Sequence, residues 1–193
     1  SGTYQCTGTS GSPTDHATIQ AAITAVQAAG GGTVLIREGV YYLGATINIT
    51  TANVRVVGMG RATELRAMTN YGNVFYCALA VTPTEWPGLS GLAFDGLRFE
   101  TAVNRTTGAA IYAEYTHDAQ FRNLYISDLT YGISYGFGTA PPHFYNGIYL
   151  KAQDQCDVEN VTAQCKNFSI YVDGSGYASA DFSYDGTIRY CNL

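Results

Sequence analysis

The chain has 193 residues, 46% of them apolar and only 13% charged, with 22 Gly, 16 Tyr and a formal net charge of −5. That length supports one sizeable core, and scarce charge with abundant Gly and Tyr excludes an ordinary helix bundle in favour of many short strands and frequent turns. Lys and Arg total 10 against 15 Asp and Glu, with no basic cluster, which argues against nucleic acid and anionic membrane as partners; no apolar run reaches the ~20 residues that membrane insertion needs.

Ser1-Gly2-Thr3 opens the chain without a basic, apolar leader, and reads as a mature or trimmed start. The first element in chain order is an amphipathic helix over 15–29, with Asp15 as the expected N-cap and Ile19, Ala22, Ile23 and Val26 on one face. Gly30-Gly31-Gly32 ends it. From Thr33 onward helical periodicity gives way to short β-rich runs, Thr33–Ile36, Val40–Leu43, Thr46–Ile49, Val54–Val57 and Val74–Leu79, each punctuated by Gly, Asn or Thr.

An internal repeat runs through the rest. Segments starting at Phe94, Phe121, Val158 and Tyr184 share an apolar, polar, Gly-or-Asn pattern, with Gly96, Asn123, Asn160 and Gly186 at the third position. Gly and Asn tolerate the left-handed region, so each such residue is expected to turn a corner between two short strands. The starts lie 27, 37 and 26 residues apart, and the longest interval holds an excursion, 136–146, with Pro141-Pro142. Strands reading alike recur as Ala110-Ile111-Tyr112, Gly132-Ile133-Ser134, Gly147-Ile148-Tyr149 and Ser169-Ile170-Tyr171. Three strands in one coil, near 122–127, 132–136 and 147–151, predict an all-β, right-handed parallel β-helix, a three-sheet solenoid with an N-terminal capping α-helix. In this reading residues 1–32 form the N-terminal segment and cap, and residues 33–193 the coils. An antiparallel sandwich is the alternative.

Asp15-His16-Ala17-Thr18-Ile19-Gln20-Ala21-Ala22-Ile23, Gly30-Gly31-Gly32-Thr33-Val34-Leu35-Ile36, Gly39-Val40-Tyr41-Tyr42 and Val54-Arg55-Val56-Val57-Gly58-Met59-Gly60 resemble the cap and first coils of the pectin-lyase-like proteins. That group includes phage tailspikes and preneck appendages and extracellular polysaccharide enzymes. Arg37-Glu38-Gly39 departs from the Pro that many of its members carry there. The resemblance implies a polysaccharide partner and an extracellular or virion-associated setting, but not one activity, since a single scaffold hosts hydrolases, lyases, epimerases and binders. The Asn-Thr-Asp and Gly-His-Gly segments of polygalacturonases and the Asp-Pro-His-Glu-like segment of alginate epimerases are missing.

Glycoside hydrolysis needs paired carboxylates. Their densest grouping is Glu114, His117 and Asp118, the candidate catalytic set, with Asp154 and Asp157 expected one coil later. Asp95, Asp128 and Asp185 read as corner residues bonding to local backbone. Sugar rings stack on aromatic faces, so Trp86, Tyr112, Tyr149, His143 and Tyr145 are the candidate substrate contacts, on the loops 82–88 and 138–146 and on adjacent strands; Tyr131 and Tyr135 project nearby.

Five cysteines without CxxC pairs or His at zinc spacing imply neither a structural metal nor a cofactor. Cys165 and Cys191 each lie seven residues after a corner start, which places them side by side as stacked thiols or one disulfide. The N-x-S/T matches at Asn48, Asn104, Asn160 and Asn167 decide nothing in a chain rich in Asn and Thr. Three functions are expected in order: a tailspike-like polysaccharide binder, a polysaccharide lyase or glycoside hydrolase, and a structural or filament-forming solenoid. The C-terminal segment, with no cap, reads as continuing into a longer chain or as covered by another subunit in a homotrimer or filament.

Overall fold

The computed structural model describes residues 2–6, 13–79, 88–127, 143–152, 154–173 and 186–193. Elements follow in the order β1 (Gly2–Cys6), α1 (Asp15–Ala28), β2 (Gly32–Ile36), β3 (Gly39–Leu43), β4 (Ile47–Ile49), β5 (Val54–Val57), a 3-10 turn (Gly60–Ala62) and β6 (Thr63–Ala67). After these come β7 (Phe75–Cys77), β8 (Leu89–Ser90), β9 (Ala93–Asp95), β10 (Arg98–Thr101), β11 (Ala109–Glu114), β12 (Thr116–His117) and β13 (Gln120–Ile126). The last are β14 (Asn146–Lys151), β15 (Asp157–Ala163), β16 (Phe168–Asp173) and β17 (Thr187–Arg189). Each strand expected up to Leu79 is present within a few residues of its predicted bounds, whereas the strand expected at 132–136 lies outside the described residues.

Every ladder between these strands is parallel. The sheets, however, correct the three-sheet solenoid. Ten strands form one sheet, ordered β1-β2-β5-β9-β13-β10-β6-β3 with β15 and β17 continuing from β13; five form a second, β16-β14-β11-β7-β4; β12 and β8 make only a pair. The described residues are therefore stacked parallel sheets with a helix against them, sharing the parallel topology of α/β proteins. The cause lies at the repeated corner. Asn123 is left-handed, with φ 53°, yet β13 continues through it, pairing with β9 at residues 120–122 and with β10 at residues 125–126. Strands expected to belong to two separate sheets are thereby joined into one bent sheet.

Side chains alternate across each strand, and the inward set makes the core. Phe75, Phe94, Phe99 and Phe121 cluster there, with ring centroids 4.9 Å apart for Phe75–Phe94, 6.1 Å for Phe75–Phe99 and 6.0 Å for Phe94–Phe121. Leu97, Leu124 and Val161 occupy successive rungs of one inward column and are fully buried. At the corner a polar ladder runs outside this column: Asn160 Nδ2 donates to Asn123 Oδ1 at 2.7 Å, and Asn123 Nδ2 to Asp95 Oδ1 at 2.7 Å. Asp128 and Asp185, the other corner carboxylates, lie outside the described residues.

Helix α1 buries Ile19, Ile23 and Val26 against β1, β2, β3 and β4. Its N-cap is Thr14, not the expected Asp15; Asp15 is drawn inward, where its Oδ2 accepts a 2.8 Å bond from the Tyr42 backbone N–H. On its other side the helix meets β4, the edge strand of the five-stranded sheet. Gln20 Oε1 accepts from Asn48 N at 2.7 Å while its Nε2 donates to Asn48 O at 3.0 Å, and Gln27 Oε1 accepts from Thr50 N at 2.6 Å. These carboxamides supply the hydrogen bonds that a neighbouring strand would. No helix among the described residues is long and apolar enough to cross a membrane.

The last repeat is four residues out of its expected register. Thr187 pairs with Asp157 and Ile188 with Val158, so the left-handed corner equivalent to Asn160 is Tyr190, φ 55°, and not Gly186. Asn192 continues this register beside Thr162. Cys165 and Cys191 therefore do not share a column, and all five cysteines are free thiols. Burial pushes the Cys165 thiol up to about 12.

Candidate functional site

The outward face of the five-stranded sheet carries the most regular arrangement of chemistry in the described residues. Tyr76, Tyr112, Tyr149 and Tyr171 occupy one register position on β7, β11, β14 and β16. Their flanking residues explain the orientation. Phe75 and Cys77, Ile111 and Ala113, and Ile148 and Leu150 point into the core, which leaves the tyrosine between them outside. In-register parallel strands repeat every ~4.8 Å, close to the contact distance of aromatic rings, so like residues stack. Centroids lie 5.3, 5.0 and 4.8 Å apart along the column, with interplanar angles of 17°, 21° and 52°.

Two residues further along each strand a second column alternates in sign: Glu114, Lys151 and Asp173. Lys151 Nζ donates to Glu114 Oε1 at 2.6 Å, Tyr112 Oη donates to Glu114 Oε2 at 3.4 Å and Tyr149 Oη to Asp173 Oδ2 at 3.0 Å. Burial, reinforced by the Glu114 charge, raises the Tyr112 phenol well above its usual range. Burial and the bond to Asp173 hold Tyr149 up at about 12. The bond to Glu114 raises the Lys151 ammonium in turn, so Lys151 keeps its charge. Both phenols remain protonated donors near neutral pH.

Beside the column lies a cleft of about 400 Å³, walled by Tyr112 and Tyr149 and floored by Gly72, Asn73, Thr107 and Asn146. Asn73 Oδ1 is held by the Ala109 N–H at 2.8 Å and Asn146 Oδ1 by Asn167 Nδ2 at 3.1 Å. Gly108, at φ 75°, packs on Gly72 so closely that a Cβ would collide with the Gly72 carbonyl. Behind this floor the fully buried Arg105 donates to the carbonyls of Thr69, Tyr71 and Gly72, and its guanidinium lies 4.7 Å from the Tyr71 ring centroid and 5.2 Å from that of Phe144. The volume suits one or a few sugar rings. Because the tyrosine faces are spent largely on one another, the cleft meets ring edges and hydroxyls more than open ring faces.

The expected catalytic set is not brought to one place by its hydrogen bonds. Glu114 is engaged with Lys151 and Tyr112, and the left-handed Tyr115, φ 52°, turns the chain before His117. His117 Nδ1 lies 3.0 Å from Asp118 Oδ2, and its Nε2 lies 3.6 Å from Asp154 Oδ2, on the next rung. Asp118 is itself a left-handed corner residue, φ 53°. Asp157 stands apart with Arg122, 3.9 Å away, and Thr187, 2.5 Å away. Among the described residues no group of His, Cys, Asp or Glu has the arrangement of a metal site.

Of the expected binding residues, Tyr112 and Tyr149 form the centre of the column. His143 and Tyr145 are half-buried on the segment entering β14, where the His143 carbonyl accepts from Arg105 N at 3.2 Å and the Tyr145 carbonyl from Asn167 N at 2.8 Å. Trp86, Tyr131 and Tyr135, with residues 82–87 and 138–142 of the two loops, lie outside the described residues. Sequence reasoning missed Tyr76, Lys151 and Asp173. A usable signal was present: Ile111-Tyr112-Ala113-Glu114, Ile148-Tyr149-Leu150-Lys151 and Ile170-Tyr171-Val172-Asp173 place a charge of alternating sign at the same offset.

No family model and no curated protein matches the chain. Among solved structures it is similar to ORF18 of Geobacillus virus E2, with a TM-score of 0.51 and 18% sequence identity over 83% of this chain and 28% of that one. The chain thus spans less than a third of the phage protein, and the likeness is one of fold.

Proposed function

We propose that the chain binds a polysaccharide on the outward face of its five-stranded sheet, as part of a virion-associated or extracellular assembly. The observation that carries this reading is the tyrosine column beside the cleft, in which a phenol recurs on four strands and Glu114, Lys151 and Asp173 follow it on three of them. A glycan offers the complement: apolar C–H patches for ring edges and hydroxyls that donate to carboxylates and accept from Lys151. The viral origin of the similar structure, and the resemblance of segments 15–60 to a group containing tailspikes, support the setting. A glycan array probed with the labelled chain tests it. Tyr112→Ala and Tyr149→Ala should each abolish the signal while leaving the far-ultraviolet spectrum intact; unchanged binding in both would refute the site.

A hydrolytic or eliminating activity is the second reading, favoured by His117 standing between Asp118 and Asp154. Release of reducing ends, or absorbance of unsaturated products, from a polymer the array identifies would establish it, and His117→Ala should then remove activity without removing binding.

A further inference from the structure

We infer that the glycan taken on this face is an uncharged, hydroxyl-rich chain, and that polymers of acidic sugars are excluded. The inference rests on the glycan-binding reading above and concerns which class of glycan the site accepts.

An acidic polymer needs cationic donors at the contact, because a sugar carboxylate brought out of water without one loses its hydration uncompensated. Among the described residues that line it, the cleft supplies none: they include no Lys, Arg or His. Lys151 is the ammonium of the adjoining column, and its pairing with Glu114 at 2.6 Å offsets its charge, so it retains N–H donors for a hydroxyl but brings no net positive charge to a sugar carboxylate. Arg105, behind the floor, is fully buried and directs its terminal nitrogens at the carbonyls of Thr69, Tyr71 and Gly72. Against these stand two carboxylates, Glu114 and Asp173, which accept the hydroxyls of the very tyrosines that wall the cleft. Formal charge over the column, Glu114, Lys151 and Asp173, is −1, on a chain whose net charge is −5. Like charges at contact disfavour association, and the field of the whole chain opposes the approach of a polyanion.

The same groups suit a neutral glycan. An ionised carboxylate has about four lone-pair positions and accepts without donating, so Glu114, bonded by Lys151 and Tyr112 and approached by the Tyr76 phenol, still retains some acceptor capacity for a sugar hydroxyl. Asn73 and Asn146 on the floor add amide groups that carry no charge. Recognition by hydroxyl donation to carboxylates rejects a ligand in which those hydroxyls are replaced by carboxylate, since acceptor would then meet acceptor.

Affinity electrophoresis separates the two classes. The full chain is run in native gels containing dextran, galactomannan or xyloglucan, and in gels containing polygalacturonate, alginate or hyaluronan. Retardation by at least one neutral polymer and by no acidic one is expected. Glu114→Gln combined with Asp173→Asn should weaken the neutral interaction about tenfold or more, the usual scale for hydrogen bonds to a charged acceptor. Retardation by an acidic polymer that Tyr112→Ala removes would overturn the inference and leave glycan binding standing. Retardation by none of the six polymers would overturn glycan binding on this face, and the inference with it. The comparison of polymers uses the unaltered chain, so its outcome does not depend on the variants folding.

Discussion

Tyr112 is the informative residue to remove, because it has a ring on either side. Its centroid is 5.3 Å from Tyr76 and 5.0 Å from Tyr149, both nearly parallel to it. Aromatic pairs contribute about 0.5–1.5 kcal/mol each beyond the area they bury, so two pairs amount to about 1–3 kcal/mol. The hydroxyl adds little to this, since its bond to Glu114 is long at 3.4 Å. Tyr112→Ala should therefore cost about 2–3 kcal/mol, and Tyr112→Phe, which keeps both stacks, less than about 1 kcal/mol. Urea titrations followed by circular dichroism measure both, with unchanged m-values required for the comparison. A double-mutant cycle with Tyr149→Ala should return a coupling of about 0.5–1.5 kcal/mol. If Tyr112→Ala costs under about 0.5 kcal/mol, or the cycle shows no coupling, the rings do not stabilise one another and the column is no preformed surface.

Leu124→Ala empties a fully buried site in the inward column beside Val161 and should cost about 2–5 kcal/mol in the same titration; a cost near zero would mean that the register is wrong. Gln155 is exposed yet holds φ 50°, so Gln155→Gly should stabilise by about 0.5–1 kcal/mol, and a loss of stability would show that the side chain does more than occupy a corner. Burial, opposed by the Arg105 charge, still holds the Tyr71 phenol up at about 12, and Tyr149 is raised to a similar value. Since the unfolded value is ~10, the stability these phenols confer is intact below that pH and is lost as pH rises through about 12. Tyrosinate absorbance recorded with circular dichroism should show late-ionising phenols titrating as the chain unfolds; ionisation of every tyrosine near pH ~10 with the fold intact would contradict this.

The elements were more legible than their assembly. Ile19, Ile23 and Val26 at helical spacing and the short apolar runs from Thr33 to Val57 each correspond to an observed element, because burial of one face imposes those periods. The corner at Asn123 was equally readable as a left-handed residue. What composition does not reveal is whether a strand breaks at such a corner or bends through it, and β13 bends, which merges two expected sheets. At β17 the Gly186 pattern misled by four residues because Tyr190 holds the left-handed position, a conformation that a tyrosine side chain gives no reason to expect. The site was half legible for a related reason: Tyr112 and Tyr149 announced themselves as aromatics, whereas Lys151 and Asp173 acquire meaning only once three strands are set in register with Glu114.

The seal that Gln20 and Gln27 place on β4 is made of neutral amides. Edge strands guarded by lysine lose part of that guard when salt screens the charge, whereas a carboxamide neither titrates nor is screened. The weakness of such a seal is chemical ageing. Deamidation of Gln20 would keep an oxygen for Asn48 N but put a second one, anionic, against Asn48 O where Nε2 now donates at 3.0 Å. One hydrolysed amide would thus weaken the helix's hold at Asn48, while the bond from Thr50 N to Gln27 Oε1 and the buried face of the helix stay in place.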